Sequence, residues 1–446
     1  MDFTGQYQKH FIVRGKDVNG HARSYLSGLL GTRNRKNIEC IGADIPQSNY
    51  QGMQQMISDS PWSHTQLMDQ VAKDARALLG CHRDSALYLD ESSFAKKGDH
   101  SAGVQRQYCG RLGKLENCQM GVFACLGRGD RSTVVDFRLF LPEDWAKDDK
   151  RCEKAKIPEE QRRHQTRTQL ALDMVKTARL GGSDHQWVGA DSAYGNNQEF
   201  CAQLEDMGEK FMMDVVGTTK VWDADPCPEA PERVGEKPGR PRSACHAGND
   251  KARQRSIEAL VEECFGKESR HVVIRRTSQG RLRARVWARE VWVWDPGQAR
   301  ARRRMLVVRK EEDGKMKYSW STCPAGTPWE RLAFMQAQRY WIERTFEDGK
   351  SELGMAQYEV RGWSGWHHHM ALVALAMLFV MKERISFKDE APLLSARDVV
   401  ELLDYYLPRR GTTEKEVLDD LVNRHKRRIQ ASKSHAKRNR QRASSS

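Results

Sequence analysis

The chain switches between two hydrophobic rhythms, and the switches mark its parts. Across residues 1–80 apolar positions recur at helical spacing, most clearly in Thr65–Leu79 with Leu67, Val71, Ala75 and Leu78-Leu79. Ser60-Pro61-Trp62 places a capping residue and a proline ahead of that helix. From residue 85 the pattern is that of strands. Ala86-Leu-Tyr-Leu89 runs into Asp90, and Cys118–Leu126 and Thr133–Leu141 follow as β-rich segments. A helix is predicted over about Pro158–Leu180, then a short buried strand, Trp187-Val-Gly-Ala190, that runs into Asp191. A helix near Asn197–Met207 and a strand over Lys210–Val216 complete the series. Three strands, helix, strand, helix, strand predicts a mixed α/β fold whose strand-end carboxylates converge on one sheet edge.

Residues 218–325 interrupt this order. Pro226, Pro228, Pro231, Pro238 and Pro241 mark a loop-rich start, followed by a charged helix over about Asn249–Cys264. In Arg281–Arg289 the basic side chains and Trp287 take odd positions, while Leu282, Ala284, Val286 and Ala288 take even ones. That alternation predicts a strand with one buried and one cationic face. A turn at Asp295-Pro-Gly297 and a strand over Met305–Arg309 would close a hairpin. Thr327-Pro328-Trp-Glu330 then has the form of a capping box, opening a helix that runs to about Leu353 and stops at Gly354. The expected division is a helical N-terminal region (1–80), a first core part (81–217), a basic β-rich insertion (218–325), a second core part (326–390) and a helical C-terminal region with a basic tail (391–446).

Charge narrows the partners. Basic residues exceed acidic ones by 74 to 60, a net charge of +14, which points to nucleic acid first and anionic membrane second. From Arg424 to Arg442 there are nine Lys/Arg and no acid, and from Arg275 to Lys310 twelve basic residues face two acids. Such runs add salt-dependent, sequence-independent affinity for a phosphate backbone. Arg33-Asn-Arg-Lys36 is a further basic cluster, equally readable as a solvated helix start. No apolar run reaches a membrane span of about 18 residues; Met370–Met381 reads as a buried core helix. The N-terminus lacks the regions of a secretory signal, so the chain is expected in the cytoplasm. The eleven cysteines form no C-x-x-C pair and read as reduced thiols. Cys227, Cys245 and His246 lack a fourth zinc ligand.

Two carboxylates, Asp90 and Asp191, emerge from apolar strands. Each taken alone reads equally as the cap of a following turn or as a site carboxylate, since a buried carboxylate is costly unless paired or bound to metal. Downstream, Arg339, Glu343, Glu347 and Lys350 share one face of the predicted helix. Carboxylates on three separate elements suit two divalent metals, and the flanking cations suit phosphate. The consecutive His367-His-His369 point in different directions on a helix and make a poor chelate.

At these residues the chain resembles the DDE transposases of cut-and-paste bacterial insertion sequences, whose third carboxylate lies in a Y-x2-R-x3-E-x6-K motif. Arg339, Glu343 and Lys350 match its last three positions, while Gln336 stands where the motif has Tyr. The stretch from Leu89-Asp-Glu-Ser-Ser-Phe-Ala-Lys96-Lys97-Gly98 through Gly103-Val-Gln-Arg-Gln-Tyr-Cys-Gly110 to Gly113-Lys-Leu-Glu-Asn-Cys-Gln119 is similar to insertion-sequence family 701. So are Arg35-Lys-Asn-Ile-Glu39 and Ala190-Asp-Ser-Ala-Tyr-Gly195. The resemblance implies an RNase H-like core with a β-rich insertion between the second and third carboxylates. It implies catalysis by Asp90, Asp191 and Glu343 holding two Mg²⁺ ions, with Mn²⁺ able to substitute. The seven-residue step to Lys350 selects Glu343 over Glu347. The expected partners are DNA, as terminal inverted repeats and target, and a second copy of the chain in a dimer. Lys96, Lys97, Arg339, Lys350, Arg285, Trp287 and Arg289 are the expected DNA contacts. Related enzymes use a hairpin step that parks a flipped base on an aromatic ring, for which Trp287, Trp292 and Trp294 are candidates; core packing is the commoner role for each, least so for Trp287, which shares its strand face with Arg285 and Arg289. The other classes compatible with these residues are a non-catalytic DNA-binding regulator and a nuclease that hydrolyses without joining.

Overall fold

A computed structural model describes residues 3–409 apart from 33–34, 231–243, 278–279 and 297, together with scattered residues between 413 and 433. Arg33, Pro231, Pro238, Pro241, Gly297 and most of the basic tail therefore lie outside the described residues.

The N-terminal region is helical, as its periodicity predicts: α1 (Asn19–Gly31), α2 (Ile38–Asp44), α3 (Tyr50–Ser58) and α4 (His64–Leu79). The cap of α4 is Ser63, which accepts from the backbone of Gln66, and not Ser60. Trp62 is buried instead, donating its indole N–H to the Met56 carbonyl at 2.9 Å. In the basic cluster Lys36 is buried, its ammonium on the Leu29 carbonyl, while Arg35 pairs with Glu359 at the surface.

Then come β1 (Ser85–Ala95), β2 (Gln105–Cys109), β3 (Lys114–Arg128), β4 (Arg131–Leu139), α5 (Arg167–Leu180), β5 (Trp187–Ala190), α6 (Ser192–Gly195), α7 (Gln198–Asp206) and β6 (Phe211–Val215). Strands β4-β3-β1-β5-β6 lie side by side, with β5 parallel to both β1 and β6. The register that matters pairs Leu89 with Ala190, and Ala190 with Met213. The residues that follow, Asp90, Asp191 and Asp214, are thereby brought to one level on three adjacent strands.

Residues 218–325 contribute β7 (Lys220–Trp222), β8 (Gln254–Ser256), α8 (Ile257–Glu268), β9 (Arg270–Thr277), β10 (Gly280–Val293), β11 (Arg302–Lys310) and β12 (Met316–Ser321). They are not a detached sheet: β12 pairs with β6, so among the described residues one 12-stranded sheet runs through core and insertion. The alternation in β10 is real, but its odd face is exposed at Arg281, Arg283 and Arg289 and closed at Trp287. Trp287 is fully buried, and its indole donates to Glu268 at the end of α8 at 2.7 Å. Arg285 lies against Ser269 and over the Phe265 ring. Helix α8 and the residue after it meet that face through the side chains of Arg285, Trp287 and Arg289, and α9 (Trp329–Gln338) packs against β9 and β10 as well. Alternation in sequence distinguishes two faces without saying whether both are covered. Trp287 is therefore corrected from a solvent-facing ring to a core residue, Trp294 is also buried, and Arg289 is exposed.

The helix expected over 327–353 is two: α9 and α10 (Tyr340–Ser351), separated at Arg339 by a tightened turn in which Ile342 N–H bonds the Arg339 carbonyl. The capping box does not form; Thr327 bonds Pro324 instead. Gly354 follows with φ +70°, a left-handed conformation suited to glycine. Behind them α11 (Trp363–Ser386) is buried along most of its length, against α1, α3, α4 and β4. Its three histidines are core residues: His367 bonds the Trp363 carbonyl, His368 those of Ile57 and Trp62, and His369 the Tyr25 hydroxyl. A last described helix, α12 (Ala396–Tyr406), packs on α1 and α11. Among the described residues no helix is long and apolar enough to cross a membrane, and the eleven cysteines are free thiols.

Candidate active site

Asp90 interrupts an apolar run: β1 is buried at every position from Ser85 to Leu89. Burial first, and then the charge of Asp191, push its carboxyl up to about 7, against the pull of Arg339. Asp191 leaves β5 as the N-cap of α6, accepting from Ala193 N–H at 2.9 Å. The capping role and the strand-end position are thus both realised. Successive residues of a strand point to opposite faces. Asp90 accordingly faces Arg339, whereas Glu91 faces α5 and α6, paired with Arg167 and accepting from the Tyr194 hydroxyl at 2.9 Å.

Arg339 is the hub. Its Nε donates to Asp214 at 2.7 Å, its Nη2 to Glu343 at 2.6 Å, and its Nη1 lies 3.8 Å from Asp90. Burial opposes the cation, but the surrounding carboxylates, Asp214 foremost, outweigh it and hold the guanidinium firmly charged. Through Arg339 the structure joins Asp90 and Glu343, which are 253 positions apart (343 − 90). Glu347 is one turn on and pairs with Arg344 instead. The Lys350 ammonium sits near the rings of Phe94 and Phe346, and burial lowers its pKa.

Other expected DNA contacts scatter. Lys97 is exposed, but Lys96 lies 3.4 Å over the Tyr358 ring, with burial lowering its ammonium to about 7. Arg285 and Arg289 belong to the insertion strand, beside α8. Gln336, at the motif's Tyr position, is buried and donates to the Ser319 hydroxyl at 2.9 Å.

Asp214 escaped the sequence reading. In Phe211-Met-Met-Asp-Val215 it is one polar residue in a short strand, and only the parallel register sets it beside Asp191. The centre thus has four carboxylates and one resident guanidinium, a net negative charge. These are hard oxygen donors, which suit a divalent cation such as Mg²⁺ or Mn²⁺, and the mutual repulsion of Asp90 and Asp191 is what such a cation relieves. Among the described residues no three His, Cys, Asp or Glu side chains converge as a ready-made metal cage; Arg339 instead bridges the carboxylates.

Strand-end carboxylates on this mixed sheet thus gather acidic oxygen donors at one sheet edge. Residues 13–284, more than half of the chain, match the family described as DDE superfamily endonuclease, and the chain belongs to that family. Its core is accordingly RNase H-like. The match includes Asp90 and Asp191 and ends before Glu343. The chain is also 25% identical over 222 residues to the "Probable transposase for insertion sequence element IS701" of Microchaete diplosiphon. That match covers 48% of this chain and 54% of the relative, so the chain spans about half of that protein's length. Among solved structures it matches the NurA nuclease from Sulfolobus solfataricus at 8% identity and a TM-score of 0.26, over 74% of this chain and 94% of that one. A likeness that low carries no argument.

Proposed function

We propose that this protein is a cut-and-paste DNA transposase that binds terminal inverted repeats, cleaves the ends and joins the 3′-hydroxyls to target DNA. The observation that carries the reading is the convergence of Asp90 and Asp191 on adjacent parallel strands with Glu343 drawn to them by Arg339. Asp90, Asp191 and Glu343 would hold two Mg²⁺ ions, which supply charge neutralisation at the scissile phosphate and a more acidic attacking water. The chain's own part is to orient: Lys350 and Arg339 supply positive charge for the backbone at the cut, and Lys97, Arg285 and Arg289 extend it. A dimer would pair two ends, and the reaction would take place in the cytoplasm at the nucleoid.

Asp90→Ala, Asp191→Ala and Glu343→Ala should each abolish Mg²⁺-dependent cleavage of end DNA while leaving end binding measurable by gel shift. Full cleavage by Glu343→Ala with loss in Glu347→Ala would overturn the third assignment. Products joined into a target plasmid separate a transposase from a hydrolysis-only nuclease, and wild-type protein that binds ends without cutting would be a regulator.

A further inference from the structure

Arg339 already occupies the carboxylate cluster, so a divalent cation must share the cluster with it or displace it. What decides between these is where the guanidinium is tethered. Its closer pairs are to Asp214 at 2.7 Å and Glu343 at 2.6 Å, and Asp90 is more distant at 3.8 Å. Asp214 is itself fixed. The Ser319 hydroxyl donates to its other oxygen at 2.7 Å, and Gln336 donates to that hydroxyl at 2.9 Å. Gln336 lies three residues before Arg339, so the chain of bonds runs from α9 through β12 and β6 and back to the start of α10. Ser319 is fully buried and Gln336 nearly so, which gives the loop little freedom. This also explains an amide at position 336: its N–H satisfies a buried hydroxyl that in turn aims Asp214.

Resting on the metal-centre reading, we propose that Asp214 is a positioning residue that berths the Arg339 guanidinium away from Asp90 and so leaves Asp90 free for a divalent cation. Without the berth, Arg339 turns onto Asp90 and competes with the metal there. Asp214 acts through Arg339 and needs no contact with the ion.

The test is Mn²⁺ binding to the full chain without DNA, followed by electron paramagnetic resonance. If the released guanidinium blocks the site most of the time, Asp214→Asn weakens Mn²⁺ binding by about five- to tenfold, because apparent affinity scales with the competent fraction. In the Arg339→Gln background the same substitution should change affinity by less than about twofold, since the competitor is gone. An unchanged affinity in Asp214→Asn overturns the proposal. So does an equal loss in both backgrounds, which would make Asp214 a direct ligand. Should Asp214→Asn not fold by circular dichroism, Ser319→Ala loosens the berth and should weaken Mn²⁺ by about two- to threefold; no change there overturns the proposal as well. Equal Mn²⁺ binding by wild type and Asp90→Ala is the distinguishable case in which the metal-centre reading itself fails and takes this one with it.

Discussion

The Tyr194 hydroxyl donates to Oε2 of Glu91 at 2.9 Å, tying the segment that carries Asp191 to the strand that carries Asp90. The bond lies on the opposite side of β1 from Arg339, so the two aspartates are braced from behind while the guanidinium faces Asp90 in front. Burial raises the pKa of Glu91, opposed by Arg167 and Tyr194. Tyr194→Phe removes one of the two partners of a mostly buried carboxylate. It should cost about 1.5–3 kcal/mol in urea unfolding, the range for hydrogen bonds to charged groups. Cleavage should fall further than stability explains at temperatures where the variant is fully folded. A variant as active and as stable as the parent would show that the brace is idle.

Gly195 tests the same region from the other side. A Cβ there would overlap the Asp214 carbonyl oxygen and come 3.1 Å from the Met213 side chain. Gly195→Ala must therefore push α6 off β6, an overpacking penalty of about 1–3 kcal/mol. Because Asp191 caps α6, the shift also moves a site carboxylate. Thermal denaturation should show the penalty, and Mn²⁺ titration a weakened site. Retention of both would mean the helix re-seats without moving Asp191.

Asp90 and Asp191 were legible because apolar runs deliver them to strand ends, and Glu343 because its spacing to Arg339 and Lys350 is a one-dimensional pattern. Asp214 was not. Its significance depends on parallel register between β5 and β6, which no local pattern encodes. Trp287 misled for a related reason. Its alternation with Val286 is a true strand signal, yet both are completely buried, Trp287 with its indole against Glu268 at the end of α8. The break at Arg339 was hidden as well, since a turn tightened by one residue leaves the helical periodicity almost intact.

Trp287 supplies a direct test of that correction. As a core side chain with its indole bonded to Glu268, its replacement by Ala should cost about 3–5 kcal/mol, the range for large aromatic truncations. The salt dependence of DNA binding measured on folded protein should not change, because no phosphate contact is lost. Normal stability with weakened hairpin or end binding would return Trp287 to the DNA surface.

The histidines of α11 set an acid limit on the fold. Burial lowers the pKa of His369 to about 3, and those of His367 and His368 shift in the same direction from the ordinary 6.5. For a base depressed in the folded state, the unfolded chain binds the extra proton. Stability is therefore complete above about pH 6.5 and is lost as pH falls toward the folded value. Asp90 and Asp136, raised to about 7 and about 6, slope the opposite way between pH 4 and 7. The comparison must then be between variant and parent. His369→Gln removes one such proton while leaving an acceptor near the Tyr25 hydroxyl. Between pH 6 and 4.5 its unfolding free energy should fall with decreasing pH less steeply than the parent's, by about 1.4 kcal/mol per pH unit for one proton. Parallel curves for the two proteins would mean that His369 does not titrate on unfolding.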